Sequence, residues 1–494
     1  MRVNSKAYLV GGGIGSLAAA AFMIRDGNLP GGNISILEAA PVLGGSLDGA
    51  GDPVSGYSMR GGRMLTTDNY ECTWDLYKSI PSLNHEGKTV FEETVGFNEK
   101  HKSNSMARLV DRRRAKIPVA SMGFSMQDRM ELLKLSQAGE DTLAASRITD
   151  WLAPGFFETE FWYMWSTTFA FQPWHSAVEF KRYLLRFLLE FSRIETLAGV
   201  KRTVYNQYDS VVLPLQTWLK AQGVRLITDC KVTDLDHKTE DGQFIVTGIH
   251  CVRQDKNEAI AVDDGDLVFL QNGSMTDASS LGSMTSAPAQ LTKADSGGWT
   301  LWEKLAEGRP EFGNPAAFNR SIAQSCWESF TVTLKNPDFF DEMTQFSGNE
   351  PGTGGLVTFK DSNWLMSIVL AHQSHFLNQP ADVQVFWGYS LFPTGWAISF
   401  RSRWRSAMAR KSCGSCAATC DSISTRLRRR TAFLAGCRTS RVCSCPACAA
   451  TVRCRCLADR RISRSLASSS KFRRMLSLRW SIRCERPRWP STNC

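Results

Sequence analysis

The sequence predicts an α/β fold whose parallel sheet is assembled from two separated stretches of chain. Three observations predict it. A strand, a glycine-rich turn and a helix follow one another from Tyr8 to Arg25. Short apolar strands and one helix recur between Val212 and Leu270. Residues 77–205 between them carry apolar positions at three- and four-residue spacing, the mark of helices. The stretch from 394 onward fits none of these patterns and is expected to be a disordered, aberrant tail.

Tyr8-Leu9-Val10 is a short apolar run and reads as a buried strand. Gly11-Gly12-Gly13-Ile14-Gly15-Ser16 follows at once, then the Ala-rich helix Leu17 to Arg25, with Asp26-Gly27 able to stop it. Asn33 to Leu37 is a second strand that ends on Glu38. Strand, glycine turn, helix, strand and acid is the order a Rossmann-like dinucleotide site requires. Gly11 permits the tight turn, and Gly13 lets the backbone approach a pyrophosphate on the helix N-terminus. Gly15 precedes Ser16, which replaces the usual third glycine with another small residue. Glu38 can accept hydrogen bonds from a ribose. A signal peptide is the competing reading of Met1-Arg2, Lys6 and the apolar run. Three glycines inside that run and Glu38 soon after oppose it.

Pro41 to Ser46 carries Gly44-Gly45 directly after Glu38. In flavoproteins with two dinucleotide domains such a turn passes close to the cofactor, which favours FAD over NAD. Gly61-Gly62 lies between Arg60 and Arg63. An ordinary loop and a backbone approach to a flavin ring explain that pair equally well.

Met126 to Ala138 and Phe180 to Ser192 have helical spacing, and Asp111 to Arg114 reads as a solvated turn. The aromatic cluster from Phe156 to Trp174 is expected to be mostly core, with some of it free to line an apolar tunnel. From Val212 a helix over Leu213 to Lys220 ends at Gly223. Strands follow at Val224 to Ile227, Cys230 to Leu235, Gln243 to Val252 and Asp266 to Leu270, the last leading into Gln271-Asn272-Gly273-Ser274. The expected organisation is a first FAD-binding segment at 1–76, a helical lid at 77–205, a second FAD-binding segment at 206–289, a substrate-binding portion at 290–393 and the tail at 394–494. The expected cofactor-binding residues are Gly11, Gly13, Gly15, Ser16, Glu38, Gly44, Gly45, Gly61, Gly62, Arg63, Val232, Asn272, Gly273 and Ser274.

The net charge of +10 hides two opposite halves. Residues 1–393 hold 35 basic and 45 acidic residues, whereas 394–494 hold 23 basic, 21 of them Arg, and three acidic. Eleven of the 15 cysteines also lie in the tail. The sparse Cys72, Cys230, Cys251 and Cys326 of the body fit a reduced, cytoplasmic protein. No apolar run reaches the roughly 18 residues a membrane span needs. The body alone offers no basic surface for nucleic acid, and no metal site is expected.

Six stretches now carry a resemblance: YLVGGGIGSLAAAAFMIRDG, RGGRMLTTDNYECTWDL, FAFQPWHSAVEFKRYLLRF, VYNQYDSVVLP, NGSMTDASS and FWGYSLFP. In this order they resemble the oleate hydratases, once called myosin-cross-reactive antigens, over residues 8–393. The resemblance implies a hydro-lyase that adds water to the cis-9 double bond of oleate, giving 10-hydroxystearate. It implies bound FAD although no electrons are transferred. It also implies an unsaturated free fatty acid as partner, and peripheral membrane contact made by the C-terminal region of intact members. Many members dimerise; this chain begins almost at its first strand, which leaves monomer and homodimer both open.

An alkene is a poor base, so the addition needs a proton donor and a group that orients or deprotonates water. The family pairs a tyrosine with a glutamate. The resemblance carries the tyrosine onto Tyr183 in Glu179-Phe180-Lys181-Arg182-Tyr183, with Lys181 and Arg182 as nearby cations and Tyr205 as the fallback. The glutamate position, directly after RGGR, is Met64, which can neither take nor give a proton. Asp68, Glu71 or a positioned water would then substitute. The family's carboxylate-binding histidine maps to His375, where Val369 and Ala371 replace expected polar neighbours. Two other readings share the motifs: an FAD oxidoreductase of amine oxidase or desaturase type, and a non-catalytic lipid-binding flavoprotein.

The resemblance stops at Pro393. Thr394 to Ala407 (TGWAISFRSRWRSA) can be coded so that one nucleotide added in front gives DRVGDFVPKPMAEC, a segment like the family's own continuation. The same offset turns Arg438 to Ala447 into PYITSMFMPR and Arg474 to Asn493 into EDVVFTVEYSVRAAQMAVYQ. Three matches in one direction and in family order point to a frameshift. Zinc binding by Cys413, Cys416, Cys443, Cys445, Cys448, Cys454 and Cys456, or nucleic-acid binding by an Arg-rich arm, are the rival readings of the tail.

Overall fold

A computed structural model describes residues 5–67, 70–240, 243–271, 277–283, 286–393 and the backbone of the strand Thr451–Ala458. Four parallel strands lie in the order Leu267–Leu270, Ala7–Val10, Ile34–Leu37, Arg225–Ile227. Leu9 pairs with Ile36 on one side and Phe269 on the other, so both expected stretches build one sheet. Ala7–Val10 and Ile34–Leu37 are buried along their whole length, because helices cover the faces of a parallel sheet. The helix Ile14–Arg25 puts Leu17, Ala20 and Ala21 against Leu9 and Ile36, and Leu215 and Leu219 of the helix Leu213–Ala221 join them.

Cys230–Glu240, Gln243–Arg253 and Lys256–Ala261 form an antiparallel sheet. Trp299, Trp302 and Leu305 of the helix Gly297–Ala306 pack with Val232, Leu235 and Ile249. That helix, expected in the substrate portion, is therefore packed on the second dinucleotide segment.

An eight-stranded sheet forms the other half of the molecule. Its order is Ser279–Leu281, Thr451–Ala458, Cys326–Leu334, Gln384–Ser390, Met366–Leu370, Val357–Phe359, Leu109–Val110, Lys116–Ile117. The last two strands come from the stretch expected to be helical, and Asp111 to Arg114 make the turn between them. Beside it stand the helices Met126–Gln137, Glu160–Phe169 and Ala177–Arg186. The expected helix over Phe180 to Ser192 is broken at Phe187, after which Leu188–Phe191 forms one short turn. Phe156, Phe161, Trp165, Phe171 and Phe180 are fully buried in one cluster, so the aromatic run is core as expected.

Most of the tail lies outside the described residues. Its one described stretch is a strand, although no strand period was expected there. Thr451–Ala458 runs antiparallel to Cys326–Leu334 over eight residue pairs. The segment TVRCRCLA alternates apolar and charged residues locally, and it pairs a strand edge that would otherwise leave backbone groups unmatched.

Candidate functional site

Gly11 bends the chain off the first strand at φ +93°, a conformation that side chains disfavour. Its N–H still donates to Leu37 O at 2.8 Å, so the turn begins as an extension of the sheet. Gly13 caps the helix Ile14–Arg25 with no side-chain bond, and no acid stands in the first helical turn. The N–H groups and dipole of a helix N-terminus favour an anion. Glu38 closes one side: Gly12 N–H donates to its Oε2 at 2.5 Å and Ala40 N–H to its Oε1 at 2.7 Å. Gln271 closes the other. Its Oε1 accepts from Ser16 N–H at 3.1 Å and from Ser16 Oγ at 3.0 Å. A Cβ added to Gly15 would stand 2.1 Å from the Gln271 amide nitrogen. The carboxamide thus fills the space in front of the helix N-terminus.

The second turn folds onto the first. Gly44 N–H donates to Gly12 O at 2.9 Å, and a Cβ on Gly45 would stand 3.2 Å from the Gly13 Cα. Val232 lies in the apolar cluster behind the sheet with Tyr8 and Leu37, two residues beyond Cys230, whose N–H donates to Glu38 O at 2.9 Å. Asn272, Gly273 and Ser274 lie outside the described residues.

Gly61 and Gly62 face protein. A Cβ on Gly62 would stand 2.8 Å from the Trp387 ring, and one on Gly61 3.3 Å. Arg60 pairs with Asp48 at 3.0 Å. The guanidinium of Arg63 points inward and donates to the carbonyl oxygens of Ser46, Gly61 and Gly62, at 3.0, 3.4 and 3.3 Å. Burial pulls its pKa below the usual guanidinium range, while the Tyr183 phenol and Asp48 act in the opposite direction.

Tyr183 sits on the helix Ala177–Arg186, half-buried, among the rings of Phe169, Phe171 and Phe187. Its sequence neighbours point elsewhere. Lys181 donates to Ala138 O, and Arg182 forms an ion pair with Glu140. Arg63, 120 residues away in sequence, lies within electrostatic reach of Tyr183, whereas Lys181 and Arg182 are engaged by Ala138 O and Glu140. Tyr205 has the opposite surroundings. Burial, Glu93 and Asp209 all raise its pKa, which opposes proton donation. Met64 is half-buried next to Leu65, which exchanges both backbone hydrogen bonds with Lys201. Glu71 is exposed on the first turn of the helix Glu71–Tyr77, and Asp68 lies outside the described residues.

His375 is buried, and its two ring nitrogens make no hydrogen bond. Burial, reinforced by His372 and Arg202, pulls its pKa down to about 3. Val369 and Ala371 are buried and apolar as expected. Neither Gln271 nor Arg202 was singled out from sequence. Gln271 directly follows a strand that pairs with Ala7–Val10, and residues at that edge face the helix N-terminus; that position was the available signal.

The MCRA family profile matches residues 4–396. The chain belongs to the MCRA family. An oleate hydratase from Streptococcus pyogenes serotype M49 (strain NZ131) is 36% identical over 395 residues, covering 79% of this chain and 67% of that protein. A linoleate hydratase from Lactiplantibacillus plantarum is 35% identical over 422 residues, covering 79% and 74%. Among solved structures, a fatty acid isomerase from P. acnes superposes with TM-score 0.42 at 12% identity, covering 85% of this chain and 83% of that one. Similarity at that level says nothing of function. Among the described residues of this MCRA protein no helix is long and apolar enough to cross a membrane.

Proposed function

We propose that this chain hydrates the double bond of a long-chain unsaturated fatty acid, with oleate giving the 10-hydroxy acid, and that it holds FAD in the first glycine turn. The observation that carries the reading is the 36% and 35% identity to an oleate hydratase and a linoleate hydratase, in a chain that lodges Tyr183 among the rings of Phe169, Phe171 and Phe187. The residues present fit the dinucleotide. Ser16 N–H and its neighbours would take the pyrophosphate in place of Gln271, and Glu38 would turn to the ribose. Bound FAD would supply a rigid polar wall and no electrons, because hydration moves none.

Tyr183 donates its proton to C9 of the alkene, and water forms its bond to C10. The buried guanidinium of Arg63 favours the phenolate that remains. That phenolate takes the proton released by the attacking water, which restores the acid and balances the step. Met64 provides no base, so Tyr183 serves in both directions. An FAD oxidoreductase would instead need an electron acceptor.

The test is oleate incubated with the protein without oxygen and analysed by mass spectrometry. A gain of one water is the expected result; a loss of two hydrogens, or binding with no product, would overturn it. We further infer that the tail is read in a shifted frame, since the family match ends at residue 396. The nucleotide sequence at the Pro393 codon tests this directly, and a frame there whose neighbour encodes nothing like the family's continuation would sink it. If the shift is real, restoring the frame should raise flavin content and hydration together.

A further inference from the structure

A row of side chains on the strand Cys326–Leu334 changes character half-way along. Alternate residues share one face of a strand, and here Thr333, Thr331, Ser329 and Trp327 share the face that packs on the hairpin strand Gly56–Met59. Thr333 Oγ1 accepts from Tyr57 N–H at 2.9 Å, and Thr331 Oγ1 accepts from Met59 N–H at 3.2 Å. The same step of two would set Ser329 against Gly61. There the chain turns away. Gly61 takes φ +93°, and a Cβ on it would stand 3.3 Å from the Trp387 ring. Ser329 Oγ and Trp327 Nε1 are left with no hydrogen bond among the described residues. Ser329 is 2% exposed and Trp327 8%. Buried polar atoms are nearly always paired, so two orphans at successive positions of one face mark a place built for a polar partner.

The chemistry of the two groups narrows that partner. An indole N–H can only donate, whereas a hydroxyl donates or accepts, and neither is charged. Together they match a neutral O–H group, whose oxygen takes the indole proton and whose hydrogen goes to Ser329. The walls are apolar. Tyr389 pairs across the sheet with Ser329, and its ring lies 5.6 Å from that of Trp327 and 5.9 Å from that of Trp387. Two links run from this face to Tyr183. Arg63, two residues beyond Gly61, is within electrostatic reach of the phenol. Ala170, between the Phe169 and Phe171 whose rings flank Tyr183, packs in one cluster with Trp327 and Trp387.

We propose that Trp327 and Ser329 hold the hydroxyl oxygen of the 10-hydroxy fatty acid, which is the oxygen of the attacking water before addition. The proposal rests on the fatty-acid reading above and adds to it a place for the oxygen. Trp327 N–H donates to that oxygen throughout, and Ser329 Oγ accepts the hydrogen it keeps. The other proton of the water goes to the Tyr183 phenolate, so neither residue changes its own protonation. A saturated chain without a hydroxyl leaves both groups unpaired and is disfavoured for that reason.

The test measures binding of stearate and 10-hydroxystearate to the full chain by calorimetry. The two acids share carboxylate and chain length and differ only in the alcohol. The hydroxy acid should bind at least about tenfold more tightly. Ser329→Ala and Trp327→Phe should each cut that preference to about threefold or less and leave stearate affinity unchanged. A residue that only supports the fold would shift both ligands together. Equal affinity for the two acids in the unaltered chain would overturn the proposal, as would an undiminished preference in the variants. If circular dichroism shows Trp327→Phe unfolded, Ser329→Ala decides alone. Mass analysis of oleate incubations scores hydration separately. A preference for the hydroxy acid with no water added to oleate sinks the hydratase reading and keeps this one. Hydration by a chain that binds both acids equally does the reverse.

Discussion

At Gly11–Gly13 and Gly15 the chain omits side chains around the N-terminus of a helix. At Gly61–Gly62 it omits them to admit an indole. The first turn opens on the N-terminus of the helix Ile14–Arg25, where Gln271 accepts from Ser16 and Glu38 accepts from Gly12. The second turn lies flat on Trp387 and sends the Arg63 guanidinium inward to three carbonyl oxygens. Glycine pairs that look alike in sequence therefore do different work. One leaves the N-terminus of a helix open between Glu38 and Gln271, and the other packs on an indole.

The comparison breaks most visibly at Tyr183. If the second turn exists to place Arg63 beside this phenol, Tyr183→Phe should lower hydration on the order of 100-fold or more, as loss of a general acid does. Flavin absorbance should not change. Tyr205→Phe should keep most of the activity, since Glu93 and Asp209 hold that proton in place. The reverse ranking in steady-state rates would move the acid to Tyr205. Met64→Glu tests the same turn in the other direction. A carboxylate next to Arg63 should raise turnover severalfold if water activation limits the rate, and unchanged turnover would show that Tyr183 already suffices.

The first turn should fail differently. A Cβ at Gly12 would stand 2.3 Å from Leu43 Cδ2 and 2.9 Å from the Glu38 side chain. Gly12→Ala should therefore weaken flavin binding by tenfold or more, and the crowding of buried Leu43 should also lower the thermal stability of the apoprotein. Retained yellow colour after gel filtration at low concentration would contradict the cradle.

Acid should be felt at His375. His375 is kept neutral by burial, with its pKa drawn from 6.5 to about 3. As pH falls between those values the unfolded chain takes up a proton that the folded chain refuses. Its stabilising share is complete above about pH 6.5 and is lost on the way to pH 3, by a few kcal/mol at most. His375→Leu should flatten that limb of an acid-denaturation series, and an unchanged limb would place the sensitivity elsewhere.

The first turn was legible because its chemistry is local. Strand, glycines, helix and acid occupy Tyr8 to Glu38 without interruption. Gln271 completes the cradle from 255 residues away and carries no motif, so only the pairing of Leu267–Leu270 with the first strand exposes it. Tyr183 was found through resemblance, but its cation was sought in Lys181 and Arg182. A helix spreads consecutive residues around its axis at 3.6 per turn, so neighbours in sequence face apart. The strand Thr451–Ala458 had a visible alternation, masked by the composition around it.

The smallest expected effect separates the two turns most cleanly. A Cβ at Gly62 meets the Trp387 ring at 2.8 Å, and an indole packed in a core cannot swing aside as a surface side chain can. Gly62→Ala should cost roughly 1–3 kcal/mol of stability through overpacking. Unlike Gly12→Ala, it should leave the flavin affinity of the folded fraction unchanged. Trp387→Leu removes much of the ring that the new methyl strikes, so the double variant should be less destabilised than the sum of the two single changes. Denaturant melts of the four proteins measure this coupling. Strict additivity would mean that Gly62 is glycine for some reason other than the indole, and the division between cradle and packing turn would have to be redrawn.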